Sequence, residues 1–131
     1  MIQPADLHKI WAAPDNTRLT AKQYSFRLPV HVAAQISALC EMFPQKSRTQ
    51  IVGDLLATAL EDFQRSFPEV KGDYVGEDSA QGVRVFKDVG PTLKYQKLVD
   101  QHYIELETEL GTEDPKPLYG PDAFMTEPID S

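Results

Sequence analysis

Three polar side chains at alternate positions, Gln23, Ser25 and Arg27, carry the most distinctive hydrogen-bonding chemistry in this sequence. A glutamine amide can meet adenine through one donor and one acceptor, and an arginine fork can grip guanine at two points. The serine between them is short and permissive. Side chains two residues apart on a strand share a face, so the three would form one polar row, with Tyr24, Phe26 and Leu28 as an apolar row behind it. The same trio on the solvent side of any half-buried strand would be ordinary surface chemistry, so the elements around it must decide its meaning.

Other reactive groups point away from catalysis. His8, His31 and His102 lie far apart in the chain, without metal-ligand spacing, and the single cysteine, Cys40, can complete neither a metal site nor an intrachain disulfide. No glycine-rich phosphate loop, nucleophile elbow or matched carboxylate pair is present. No enzyme activity, metal or cofactor is expected, and Cys40 is expected to fill core.

The run Gln23–Leu28 alternates polar and apolar and is closed by Pro29, the pattern of a short half-buried strand. Beyond Pro29, Val32, Ile36, Leu39, Cys40 and Phe43 recur at helical spacing, and beyond Pro44 so do Val52, Leu55, Leu56, Ala59, Leu60 and Phe63. Ser47 with Gln50 three residues later predicts a capping box at the second helix, the serine oxygen accepting from the Gln50 amide. Gly53 lies inside that helix at a cost of about 1 kcal/mol relative to alanine. Either close approach of two such helices across a dimer axis or neutral drift accounts for it. An isolated six-residue strand has neither ladder partner nor second layer, so it needs a partner strand.

Strand, proline, helix, tight turn, helix over residues 22–63, opening on Gln-Tyr-Ser-Phe-Arg-Leu-Pro, resembles the ribbon-helix-helix (MetJ/Arc-type) family of DNA-binding proteins. The family's usual glycine in the inter-helix turn is absent here. The resemblance implies a mainly α fold in which two copies of the chain donate one strand each to an intermolecular antiparallel pair, with two helices per chain. It implies Tyr24, Phe26 and Leu28 in the dimer core and Gln23, Ser25 and Arg27 against base edges in the major groove. Phosphate would be held at the start of the second helix by Ser47 and Arg48, with charge added by Arg18, Lys22 and Lys46. The implied function is a bacterial, cytoplasmic, homodimeric transcriptional regulator or repressor of double-stranded DNA, able to assemble further on DNA. The alternatives are the antitoxin of a toxin–antitoxin pair and an acidic protein-interaction module without DNA binding.

The remaining sequence predicts four segments. Residues 1–21 hold a short helix over 4–13, with Pro4 in its first turn and Trp11 as an anchor, followed by an arm; residues 22–66 are the DNA-binding domain. Residues 67–111 read as a polar linker, a short strand over 82–87, and a third helix opened by Gly90-Pro91 and ended by Gly111. Residues 112–131 form an acidic, proline-rich tail, expected to be extended or disordered. The chain has 131 residues and a formal charge of −7. Residues 1–67 carry seven Lys/Arg and six Asp/Glu, a net +1, and residues 68–131 carry six and fourteen, a net −8. No Asp or Glu occurs from Asn16 to Cys40, which favours local DNA contact over general coating. The acidic half suits a basic protein partner. No apolar run approaches a membrane span and no signal peptide is evident, so a soluble cytoplasmic protein without membrane contact is expected.

Overall fold

The computed structural model describes residues 18–129. The helix expected over 4–13 and its Trp11 lie outside them. The chain divides into two compact units, residues 1–65 and 66–131.

The first unit contains α1 (Val30–Met42) and α2 (Arg48–Gln64). Pro29 starts α1: its carbonyl accepts from the amides of Val32 (3.1 Å) and Ala33 (3.0 Å), and its own lack of an N–H costs nothing at a helix start. Phe43 ends α1 before Pro44, and the Lys46 amide donates to the Phe43 carbonyl at 3.1 Å to close the turn. Ser47 then caps α2 as its sequence predicts. Its Oγ accepts from the Gln50 amide at 3.1 Å, and its own amide donates to Gln50 Oε1 at 2.9 Å. The core of this unit is small. Ile51 is fully buried, with Leu39, Cys40, Phe43 and Leu55 packed against it, so Cys40 does serve as packing. A β-carbon at Gly53 would meet nothing within 4 Å in the single chain.

The second unit holds β1 (Lys71–Asp78), β2 (Val83–Asp88), α3 (Pro91–Glu109) and β3 (Phe124–Pro128). The strands form one antiparallel sheet in the order β1-β2-β3. Val83 opposes Asp78 on one side and Pro128 on the other. Two register shifts interrupt β1, between Lys71 and Tyr74 and between Tyr74 and Gly76. Such bulges, with Asp73 and Glu77 on the strand, discourage pairing of the open edge with another chain. On one sheet face Lys71 reaches Glu127 at 2.7 Å and stands 4.2 Å from the Phe86 ring centroid, while Tyr74 packs edge-on to Phe86 at 5.5 Å.

One buried carboxylate ties the strands to the helix. Asp88, only 3% exposed, accepts through Oδ1 from the amides of Val70 (3.1 Å) and Gly90 (2.9 Å), and its own amide donates to the Ala123 carbonyl at 2.8 Å. Gly90 caps α3 at a close approach, since a β-carbon there would lie 2.7 Å from the Pro68 carbonyl oxygen. Farther along α3, Asp100 accepts from the amides of Tyr119 (2.8 Å) and Gly120 (3.0 Å), drawing the segment before β3 against the helix. Gly111, at φ +87°, ends the helix in a left-handed turn as expected.

The fold therefore corrects the ribbon-helix-helix expectation. The described residues form three helices and an intrachain three-stranded antiparallel sheet, whereas that fold carries a single strand pair. The run Gln23–Leu28 is not a strand in this structure, because a ladder needs a partner and β1, β2 and β3 pair with one another. The stretch read as linker contains β1, and the tail read as extended or disordered contains β3.

Candidate nucleic-acid interface

Every residue from Arg18 to His31 is exposed, so Gln23, Ser25 and Arg27 are all accessible. The apolar residues between them are equally open: Tyr24 is 59% exposed, Phe26 77% and Leu28 48%. Upstream, the Thr20 hydroxyl donates to the Lys22 carbonyl at 2.7 Å across the bend at Ala21 and Lys22. That local turn sets how the chain carrying Arg18 and Lys22 enters the run.

The start of α2 holds the other candidate residues. Ser47 and Arg48 are exposed, and Arg48 Nη1 reaches Ser37 Oγ of α1 at 3.5 Å. Lys46 differs from both. It is only 6% exposed, head group included, so in the single chain its ammonium is not presented to a phosphate as the sequence suggests. The structure thus gathers Lys46, Ser47 and Arg48 at one helix start and keeps Gln23, Ser25 and Arg27 on one exposed run.

Sequence reasoning missed two features of this unit. The stripe counted from Val52 passed over Ile51, which is fully buried. Leu56, Leu60 and Phe63, which share the helical stripe, are 54%, 54% and 61% exposed. Tyr24, Phe26 and Leu28 together with Leu56, Leu60 and Phe63 leave the first unit with more large apolar surface in water than its small core can justify.

No family model, curated protein or solved structure matches this chain. Its function must be argued from its own residues.

Among the described residues no three His, Cys, Asp or Glu side chains gather as metal ligands. His31 and His102 are both exposed, the latter 3.6 Å from Glu105. A shallow depression bounded by Val89, Gly90, Leu93, Lys94, Lys97 and Leu98 lies beside the start of α3. It is open and mostly apolar and lacks the converging polar groups of a catalytic pocket. Among the described residues no helix is long and apolar enough to cross a membrane.

Proposed function

We propose that this protein is a homodimeric, sequence-specific DNA-binding regulator of transcription whose first unit reads the DNA. The observation that supports it is the exposed run Gln23–Leu28, in which apolar Tyr24, Phe26 and Leu28 alternate with Gln23, Ser25 and Arg27. Burying a large apolar side chain fully is worth about 1.5–3 kcal/mol, so three together supply a substantial drive towards a partner surface. A second copy offers the same row. Covering Tyr24, Phe26 and Leu28 with a second copy would leave the donors and acceptors of Gln23, Ser25 and Arg27 facing solvent, where they can meet base edges. Ser47 and Arg48 at the start of α2 suit phosphate, since amide groups at a helix N-terminus attract anions. Repression by occlusion follows, because a dimer seated on a short operator blocks polymerase without chemistry.

Light scattering at micromolar concentration, combined with selection of bound duplexes from random DNA, tests this. The expected outcome is a dimer that enriches a two-fold related site, and Phe26→Asp should abolish the dimer by placing carboxylates in its apolar row. A folded wild-type monomer, or a folded dimer that enriches nothing, overturns the proposal. One observation favours a second reading, an acidic protein-interaction module without DNA binding: residues 66–131 carry fourteen acids against six bases. Copurification with a small basic protein, together with failed DNA selection, would choose it.

A further inference from the structure

The acidic side chains are not spread evenly over the fold. Residues 1–65 hold seven Lys/Arg and six Asp/Glu, a net +1, and residues 66–131 hold six and fourteen, a net −8. The charge changes sign where the structural unit changes, at Arg65 and Ser66. Most cations of the second unit are engaged close to home: Lys71 with Glu127, Arg84 with Glu77, Lys87 with Asp122 and Lys116 with Asp114, at 2.7–3.8 Å.

Much of the surplus falls at one end of one helix. Glu105, Glu107 and Glu109 lie in the last turns of α3, and Glu113 and Asp114 follow it. A helix C-terminus already carries partial negative charge from its unpaired carbonyls, and cations are what stabilise it there. Lys94 and Lys97 instead sit towards the opposite end, where the dipole favours anions. The charge order along α3 is thus the reverse of the one its own stability would favour, so helix formation gives no account of it.

We propose that the second unit is an electrostatic filter on DNA binding, one that suppresses sequence-independent association more than association with the specific site. This rests on the DNA-binding reading above. Non-specific association is driven almost wholly by phosphate neutralisation and samples many orientations. Poses that bring a −8 unit to within about 8 Å of the phosphates at physiological salt are repelled. The specific complex is fixed in one orientation by its base contacts and needs only that pose to be tolerated. A dimer carries the charge twice, −16 from two second units. The filter thereby keeps a weakly basic reading unit from coating DNA at large.

The test uses the full chain with Glu105→Gln, Glu109→Gln and Glu113→Gln together, which removes three negative charges per chain. Neutralising carboxylates at and beyond the end of α3 relieves an unfavourable dipole interaction, and circular dichroism checks that the fold is retained. Binding of wild type and variant to a selected site and to random duplex is measured from low to physiological salt. The expected result is a rise of roughly threefold or more in affinity for random duplex at low salt, a smaller change on the selected site, and convergence as salt rises. Wild-type protein that binds neither DNA overturns the DNA-binding reading and the filter with it. Wild-type protein that binds its selected site, with a variant whose affinity for random duplex is unchanged at every salt, overturns the filter alone.

Discussion

Replacing Asp88 should expose how far the second unit depends on a single carboxylate. Its Oδ1 accepts both the Val70 and Gly90 amides, at 3.1 and 2.9 Å, from a side chain that is 3% exposed. Asp88→Ala leaves both donors without that acceptor in a part-buried corner. A hydrogen bond to a charged group contributes about 1.5–3 kcal/mol, so losing two should cost about 3–6 kcal/mol, a large share of the stability of a small unit. Asp88→Asn keeps an oxygen in the same place and removes only the charge assistance, so its cost should be about half as large. Urea denaturation followed by far-UV circular dichroism gives the two values, and hydrogen exchange at the Val70 and Gly90 amides gives the local readout. Both amides should be protected in the wild type, weakly protected in Asp88→Asn and unprotected in Asp88→Ala. A loss below about 1 kcal/mol for alanine, or equal losses for the two variants, would refute the idea that shared acceptance by Oδ1 holds this corner.

Three further predictions concern other contacts. Ser47→Ala removes the cap of α2 and should lower stability by about 1 kcal/mol in chemical denaturation, with Ser47→Gly costing only a few tenths. Gly90→Ala would place a β-carbon 2.7 Å from the Pro68 carbonyl oxygen; backbone must move to admit it, so thermal melting of the second unit should fall while α1 and α2 stay intact by amide spectra. On the proposed DNA site, Arg27→Ala should cost about 1–3 kcal/mol and relax sequence preference at one position, whereas Arg48→Ala should weaken all duplexes alike and reduce the salt slope by about one. Equal losses on selected and random DNA for both variants would dissolve that division of labour.

The helices were the legible part of the fold because their signals are local. Ser47 and Gln50 announce the start of α2, Pro44 follows the end of α1, and Gly90-Pro91 and Gly111 bracket α3, each through backbone requirements that hold whatever packs nearby. The sheet was largely illegible for the opposite reason. β1 reads Lys-Gly-Asp-Tyr-Val-Gly-Glu-Asp, and its bulges break the period-two pattern by which a strand is recognised. β3 is five residues among prolines, and its strand character comes from β2, which ends at Asp88, far back in the chain. The run Gln23–Leu28 shows the converse error. Its alternation is that of a strand, but periodicity states which side chains would share a face, not whether a neighbour exists to complete the ladder. The polar row Gln23, Ser25 and Arg27 could be read directly from the sequence. The burial of Lys46 and the exposure of Leu60 could not, since both depend on what the rest of the chain packs against them.

The position of β3 at the far end of the chain order has a consequence for synthesis. β1 and β2 are made first and can meet as a hairpin, but a two-stranded hairpin is marginal in water. The third strand that completes the sheet emerges only after α3 and the segment pinned to Asp100. A nascent chain therefore carries the outer side of β2 open until Phe124–Pro128 leave the ribosome, and a product cut short before Phe124 never closes it. Such a fragment would present an unpaired strand to proteases and to other nascent chains, so incomplete copies should be cleared while full-length copies persist. Closure of the sheet is thus conditional on translation having passed β3.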